Sequence, residues 1–204
     1  MSVQDYLDLV DWRRRVGDAY REGSLEGWRA ARDRLFREHP QSPVPEESRA
    51  SYPGLAWFPP DPAYRVPARL VEGDGDLLEI DTGGEDGVIR YRRIGSLRFR
   101  LGAEDCALTV LSIVGYAGGL FVPFRDATSG KQTYGGGRYL FDTIKNTDAG
   151  CLEVRPGSSE VVIDFNWAYH PSCYYNPRWA CPLAPRENWL SIAVPAGERS
   201  AEAG

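Results

Sequence analysis

The sequence contains few of the residues on which common catalytic and metal sites are built. Its 204 residues include two histidines and four cysteines. With so few histidines, and with no serine in a nucleophile-elbow motif, a Ser-His-Asp triad has little support. His170, Cys173 and Cys181 together with a carboxylate have metal-ligand chemistry, but their spacing matches no standard zinc signature. No reaction class and no cofactor follow from these motifs.

Positive charge and long apolar segments are scarce as well. The formal net charge is −5, whereas proteins that bind nucleic acids or anionic membranes present clustered lysine and arginine. No apolar run approaches the roughly 18 residues of a membrane span, and acidic residues stand where a signal peptide would be positive. We therefore expect a cytoplasmic protein without nucleic-acid or membrane partners, in which free thiols are favoured over disulfides.

The hydrophobic content limits how many separate cores the chain can form. A hydrophobic content of 42% in 204 residues is enough for one sizeable core, so we predict a single domain. We divide it into a helical pair (1–40), a strap rich in proline and aromatic residues (41–67), a β core (68–196) and a flexible tail (197–204).

Two helices are predicted in the first part. Apolar residues at near-helical spacing within residues 3–22 indicate an amphipathic helix. Ser24 is a suitable N-cap for a second helix that runs to about His39 and is ended by the prolines that follow.

After the strap, short segments are separated by glycine and aspartate. This spacing is typical of an antiparallel sheet. Residues 96–101 alternate apolar and polar, as expected of a strand with one buried face. The predicted fold class is mainly β (α+β), an antiparallel β-barrel or sandwich preceded by an N-terminal pair of helices. The predicted strands are 64–72, 76–81, 87–93, 95–101, 106–116 and 189–194.

The segment FVPFRDATSGKQTYGGGRYLF, residues 121–141, contains a turn signal at 128–131. We predict a hairpin between 121–125 and 132–134, held by side-chain to backbone hydrogen bonds from Asp126 and Thr128. Three glycines at 135–137 allow backbone N–H groups to approach a ligand, although a bulge or tight barrel corner accounts for them equally well. The strand-to-helix context of a nucleotide-binding motif is absent.

The segment VVIDFNWAYHPSCYYNPRWACPLAPRENWLSIAV, residues 161–194, concentrates polar and aromatic residues. Alternation over 161–170 places Asp164, Asn166 and His170 on one face of an extended chain. That face is either exposed to solvent or the wall of a pocket, and the neighbouring aromatic residues favour a pocket.

Together these two segments resemble the domain of unknown function 1684 family, through the patterns F-x-D-x-T-S-G-x-x-T-Y-G-G-G-R-Y-L and D-F-N-x-A-Y-x-P-x-C…C-P…E-N. The family has no assigned activity, so the resemblance implies a shared site without naming its chemistry. His170 stands where the family more often has asparagine, so no role for it is implied. The matching positions are Asp126, Thr128, Gly130, Thr133, Tyr134, Gly137, Arg138, Tyr139, Asp164, Asn166, Tyr169, Cys173, Cys181, Glu187 and Asn188.

We expect a pocket for a small polar or anionic metabolite within residues 126–189. Arg138 would be its anchor, partly buried and facing Asp164 or Glu187, which are the candidate catalytic carboxylates. A purely structural ion pair of Arg138 with either carboxylate is the alternative. The other expected ligand-binding residues are Tyr134, Tyr139, Asn166, Tyr169, Asn188 and Trp189, and the expected structural ones are Asp126, Thr128, Gly130, Cys173 and Cys181.

Other functions stay open at this point. They are a metal protein, a flavin protein on a split barrel with an arginine phosphate site, and a non-enzymatic interaction module. The Asn-Pro step in 174–180 favours a turn, which together with the resemblance suggests that Cys173 and Cys181 are neighbours capable of a disulfide. We expect a structural role for this pair first, metal ligation second and redox catalysis third, with Cys106 and Cys151 as free thiols.

Overall fold

A computed structural model of the chain describes residues 2–84, 86–116 and 118–201. Its helices are α1 (Val3–Arg21) and α2 (Leu25–Glu38). Its strands are β1 (Ala56–Trp57), β2 (Arg65–Glu72), β3 (Leu77–Asp81), β4 (Val88–Leu101), β5 (Glu104–Ile113), β6 (Leu120–Phe124), β7 (Arg138–Asp142), β8 (Leu152–Val154), β9 (Glu160–Asp164) and β10 (Glu198–Arg199). Short 3-10 turns include Thr143–Lys145, Phe165–Trp167, Ser172–Tyr174 and Arg186–Asn188.

Both predicted helices are confirmed, and each begins at a side-chain cap. Ser2 and Asp5 form a capping box at the start of α1, and the Ser24 hydroxyl accepts from the Gly27 N–H at 3.0 Å before α2. The first half of the apolar face of α1 is exposed, with Val3 at 78% exposure, so only its second half enters the core through residues such as Tyr20. No helix in the described ranges has the length and apolar character needed to cross a membrane.

In the described part of the chain, an eight-stranded antiparallel sheet follows the order β7-β6-β5-β4-β2-β9-β8, with β3 paired to β4. The two ends of the strand order meet: Tyr139 of β7 and Tyr169, which follows β9, exchange two backbone hydrogen bonds of 2.9 and 3.1 Å. The result is a nearly closed barrel, and the predicted mainly β fold with an N-terminal helix pair is confirmed.

Strand β4 replaces two predicted strands by one. A bulge between Arg93 and Gly95 joins them, and a Cβ at Gly95 would lie 2.6 Å from the Val71 carbonyl oxygen of the neighbouring strand. Beyond the bulge the predicted alternation is confirmed, because Leu97 and Phe99 are buried while Arg98 and Arg100 are exposed.

The predicted hairpin is wrong in its second strand. Strand β6 pairs with β7 and not with residues 132–134. Its register shifts between Val122 and Pro123, where proline has no N–H to continue the ladder. Residues 125–137 therefore form a long loop that leaves the sheet and returns to it.

Two further segments predicted to be extended strands are not strands over their full length. In each, backbone groups bond to a side chain or to a loop carbonyl and not to a neighbouring strand. The alternation over 161–170 ends at Asp164, whose carboxylate accepts from the Asn166 N–H at 2.9 Å and starts a 3-10 turn. Residues 189–194 form no strand. They run beside the 125–137 loop through bonds such as Leu190 N–H to the Arg125 oxygen (2.8 Å) and Ala127 N–H to the Ile192 oxygen (2.9 Å).

Residues 197–200 of the predicted flexible tail are buried or half-buried, Ala201 is exposed, and 202–204 lie outside the described residues. Strand β10 pairs with β1, and Glu198 is only 1% exposed. Gly197 permits this approach: its φ is +77°, and a Cβ there would lie 2.5 Å from the Ala168 carbonyl oxygen. The Glu198 N–H then donates to that same oxygen at 2.8 Å.

Asn188 bridges two strands where their own ladder ends. Pairing of β5 with β6 is limited to Leu111–Phe121 and Ser112–Leu120. Further along, the fully buried Asn188 amide accepts from the Thr109 N–H (2.8 Å) and donates to the Thr109 oxygen (3.0 Å) and the Pro123 oxygen (2.8 Å). Because these bonds occupy its amide, Asn188 serves the sheet and not a ligand.

We expect Asn188→Ala to lower the free energy of unfolding by about 3 kcal/mol, since three buried hydrogen bonds of roughly 1 kcal/mol each are lost. Urea denaturation measures the change. Asn176→Ala is the control, because its side chain accepts one bond from Arg178 N–H in an exposed turn, and it should cost less than about 1 kcal/mol. Equal losses in the two variants would contradict this role for Asn188.

Candidate functional site

The loop that follows β6 folds around the side chains of Asp126 and Thr128. The Asp126 Oδ1 atom accepts from the Thr128 N–H at 2.6 Å and from its hydroxyl at 2.5 Å. The Thr128 carbonyl accepts the N–H groups of residues 131, 132 and 133, and Gly130 has a φ of +79° that completes the turn. Of the side-chain to backbone hydrogen bonds predicted for this turn, the one from Asp126 is present, whereas the Thr128 hydroxyl bonds to the side chains of Asp126 and Thr133.

Arg138 lies behind this turn with 1% exposure. Its Nη2 atom donates to Asp126 Oδ2 at 2.5 Å and to the Val194 oxygen at 2.8 Å. Its Nη1 atom donates to the carbonyl oxygens of Ala196 and Glu198. The prediction that Arg138 is partly buried and faces Asp164 or Glu187 is wrong: Asp126 is its partner, and the burial is nearly complete.

The geometry of Gly137 explains that position. Its φ is +95°, and a Cβ there would lie 2.4 Å from the Phe124 carbonyl oxygen, so the chain turns sharply back onto β6 and directs Arg138 inward. Burial lowers the pKa of Arg138, while the neighbouring Asp126 carboxylate favours the charged form. Both terminal nitrogens are occupied by the protein, which leaves neither to anchor a ligand.

Asp164 and Asn166 also have internal partners. The Asn166 amide exchanges two hydrogen bonds of 2.9 Å with the Asp61 backbone and donates to Asp164 Oδ1 at 2.8 Å. Burial raises the pKa of Asp164, against the hydrogen bonds from Asn166. These two side chains connect the strap to the end of β9.

Glu187 and Trp189 contact arginine side chains elsewhere in the chain. Glu187 accepts from the Arg93 Nε and Nη2 atoms at 2.7 and 3.3 Å. Trp189 is 39% exposed and is contacted by the guanidinium groups of Arg125 and Arg186, 3.9 and 4.3 Å from its ring centre. The structure gives the two candidate carboxylates, Asp164 and Glu187, separate partners.

Tyr139 and Tyr169 line a cavity of about 240 Å³ between the helix pair and the motif segments. A larger depression of about 580 Å³ lies between α1 and α2 and is strongly acidic, but no motif residue lines it. The smaller cavity is therefore the candidate site. Among its polar lining residues are Arg32, Tyr139, Lys145, Thr147, Tyr169 and His170.

The two tyrosines present protonated hydroxyls. Tyr139 donates to the Pro182 carbonyl oxygen at 2.8 Å, and the Tyr169 hydroxyl lies 2.8 Å from Thr147 Oγ1. Thr147 donates to the Asp142 carbonyl at 3.0 Å, so Tyr169 is the donor in their contact. Burial raises the pKa of both tyrosines well above the ordinary value.

Arg32 of α2 lies in the cavity wall. It was not among the site residues predicted from the sequence. Its guanidinium lies between the rings of Phe36 and Tyr169, 4.5 and 4.7 Å from their centres. It also donates to the His170 carbonyl and to Glu198 Oε2, both at 3.4 Å. The sequence does contain one indication of its role, because Arg32 lies within the apolar stripe of an amphipathic helix.

His170 and Glu198 form the buried end of this network. The His170 Nε2 atom accepts from the Tyr134 N–H at 3.2 Å, which assigns the proton to Nδ1, 3.6 Å from Glu198 Oε1. Burial lowers the pKa of His170. Burial alone would raise the pKa of Glu198, but Arg32 and His170 lower it below the ordinary value.

Three lining residues carry buried N–H groups without an acceptor in the part of the chain that the structure describes. They are Arg32 Nε, His170 Nδ1 and the indole nitrogen of Trp179. Lys145 adds a half-exposed ammonium group 3.5 Å from Asp142. The cavity wall is therefore rich in hydrogen-bond donors and favours a ligand rich in acceptors.

Cys181 lines the same cavity and is 6% exposed, and Cys173 beside it is half-buried. Both are free thiols, as are Cys106 and Cys151. Their interaction lowers the pKa of Cys181 to about 6 and raises that of Cys173, which keeps its proton. Across the described ranges, no three histidine, cysteine, aspartate or glutamate side chains cluster so as to hold a metal ion.

The fold and site together define a mostly antiparallel β protein with a nearly closed barrel, an N-terminal helix pair and a donor-rich cavity between them. A family model described as "Protein of unknown function (DUF1684)" matches residues 50–199, and the chain belongs to this family, as the motifs predicted. An uncharacterized protein of Haloarcula marismortui, solved by solution NMR, is 38% identical, with a TM-score of 0.65. The match covers 88% of this chain and 94% of that one. Curated proteins gave no match.

The Arg138–Asp126 pair makes a prediction about stability. Arg138→Met should lower the free energy of unfolding by about 3–5 kcal/mol, because it leaves the Asp126 charge buried without its cation. Arg93→Met is the control: it removes a half-exposed pair with Glu187 and should cost about 1 kcal/mol or less. Chemical denaturation measures both, and comparable losses would refute the assignment.

The burial of His170 predicts how the stability of the protein depends on pH. In the unfolded chain the imidazole gains a proton as pH falls through its ordinary pKa of 6.5, whereas in the folded protein its pKa is lower. The unfolded state then binds more protons, so stability is complete above this pKa and declines as pH falls below it. His170→Asn should reduce the slope of the melting temperature between about pH 7 and 5. An unchanged slope would show that His170 does not titrate in this way.

Proposed function

We propose that this protein binds a small polar or anionic metabolite in the cavity lined by Arg32, Tyr139, Lys145, Thr147, Tyr169 and His170. The observation that supports this most directly is the set of three buried N–H donors without acceptors at that wall. A buried donor without a partner costs about 1–3 kcal/mol, which a carboxylate or phosphate oxygen would recover.

The cations around the cavity can donate hydrogen bonds to a polar or anionic ligand. Arg13, Arg32 and Lys145 line it, and Asp86 is the acidic residue in the described lining. Glu198, the nearest buried carboxylate of the network, is already neutralised by Arg32 at 3.4 Å. Lys145 likewise lies 3.5 Å from Asp142, so these two cations offer directed hydrogen bonds and not a net positive charge.

The size of the cavity limits the ligand. Its volume of about 240 Å³ is below the roughly 300–1,000 Å³ typical of drug-sized ligands. The rings of Tyr139 and Tyr169 pack edge to face, 5.6 Å apart, and together offer one apolar patch of the wall to a small metabolite. No observation favours a flavin, a metal or a partner protein at this place.

Asp164 and Glu187 are absent from the cavity lining, so the proposal is for binding and assigns no acid–base step to them. The free thiols are compatible with the reducing cytoplasm that the composition led us to expect, and we propose that location.

A thermal-shift screen of small carboxylates and phosphate esters tests the proposal, because a ligand that binds the folded state raises the melting temperature. For the best compound, Lys145→Ala should weaken binding by roughly tenfold or more, the value of one charge-assisted hydrogen bond. The control is Lys131→Ala, which removes the other lysine of the chain from an exposed turn and should bind as the wild type does. Absence of any shift, or equal affinity in both variants, would refute the proposal.

A further inference from the structure

The turn between β3 and β4 brings a carboxylate to the candidate cavity. Asp86 of this turn lines the cavity and is exposed, so it lies at the mouth. The turn packs against a second lining residue, because a Cβ at Gly84 would lie 2.8 Å from the Ala180 Cβ atom. In the described part of the chain the Asp86 side chain has no hydrogen bond or ion pair, so its oxygens can accept from a ligand.

Two other carboxylates contact lining residues of the cavity, and both have partners. Glu198 accepts from Arg32 Nη2 at 3.4 Å and from the His170 N–H at 3.0 Å. Asp142 accepts from the Ile144 N–H at 3.1 Å and lies 3.5 Å from Lys145 Nζ. Asp86 differs from both, since none of the described cations lies within ion-pair distance of it.

The buried part of the wall has the opposite character. Arg32 Nε and His170 Nδ1 are N–H groups without an acceptor in the described ranges, on residues that are 8% and 1% exposed. Cations also cover both tyrosine rings: the Arg32 guanidinium lies 4.7 Å from the centre of Tyr169, and Lys145 Nζ lies 5.8 Å from that of Tyr139. An ammonium group would meet donors and like charge at this end, whereas a carboxylate would accept hydrogen bonds there.

Neither a simple anion nor a simple cation matches both parts of the cavity. Arg13 also lines the cavity from an exposed position, and like Asp86 it has no ion pair among the described residues. A simple anion would bring like charge towards Asp86, and a simple cation would approach Arg13, Arg32 and Lys145. A ligand that carries both charges gives the N–H donors and the free carboxylate a partner each.

We propose that the ligand of this cavity is a zwitterion of the amino-acid type, with its carboxylate at the buried N–H donors and its ammonium group at Asp86. This inference rests on the binding function proposed above and adds the charge class of the ligand. An α-amino acid and an ω-amino acid share this chemistry and differ in the separation of their two charges, which the choice of probes distinguishes.

Four probes on one five-carbon skeleton test the charge requirement. They are pentanoate, pentylamine, norvaline and 5-aminopentanoate, and isothermal titration calorimetry near pH 7 measures their affinities. One of the two amino acids should bind about fivefold more tightly than pentanoate, the upper value for an exposed ion pair, and pentylamine should bind most weakly. The advantage over pentanoate should shrink at about 0.5 M salt, because ions screen an exposed pair.

Asp86→Asn removes the partner assigned to the ammonium group, so in this variant the amino acid should bind no better than pentanoate. The control is Glu79→Gln, which removes a negative charge from an exposed position of β3 outside the lining and should keep the advantage. If pentanoate binds as tightly as both amino acids in wild type, or if the advantage survives in Asp86→Asn, the zwitterion is wrong and the binding function stands. If none of the four probes binds, the zwitterion is wrong as well, and the thermal-shift screen alone decides the binding function.

The orientation of the ligand is tested in wild type through the indole N–H resonances. Trp179 Nε1 lines the cavity without an acceptor in the described residues, whereas Trp189 Nε1 already donates to the Ala184 carbonyl at 3.1 Å. Pentanoate and the tighter amino acid should both shift the Trp179 resonance and leave that of Trp189 unchanged. An equal shift with pentylamine, or no shift with a bound carboxylate, would overturn the orientation and with it the proposal.

Discussion

Arg138 donates to carbonyl oxygens of residues 194–198 and to the Asp126 carboxylate, and each contact joins parts of the chain that are distant in sequence. A charge taken out of water costs several kcal/mol unless its partners are all in place. The loop after β6, strand β7 and the segment before β10 are therefore stable only together. Glu198, held by this assembly, in turn orients Arg32 and His170 at the cavity.

Features determined by near neighbours could be predicted from the sequence. The Ser24 cap, the helical spacing of apolar residues and the alternation in residues 96–101 each depend on contacts within a few positions. The Asp126–Thr128 bond spans two residues and was predicted for the same reason. The burial of Glu198 and the partner of Arg138 depend on which distant segments meet, and no local pattern carries that information.

Polar residues of the family motifs were expected to contact a ligand, and several bind backbone groups instead. Asn188 fills the gap between β5 and β6, and Asn166 fastens the strap at Asp61. Irregular backbone leaves N–H and C=O groups without partners in a strand ladder. Asparagine and aspartate side chains form hydrogen bonds to these groups instead. Arg32 and Lys145, the cations that line the candidate cavity beside the motif residues, lie outside the motifs, so the motif patterns gave no indication of them.

The route of the chain also sets an order for its assembly. Protein synthesis proceeds from the N-terminus, so β7 and Arg138 leave the ribosome about 56 residues before Val194, the first of the carbonyl groups that solvate this cation. At 5–20 residues per second that interval lasts for seconds. Strands β8 and β9 are synthesised within this interval, and the guanidinium lacks its three carbonyl acceptors until the interval ends. Burial of the Arg138 charge thus becomes a step that waits for translation of residues 194–198.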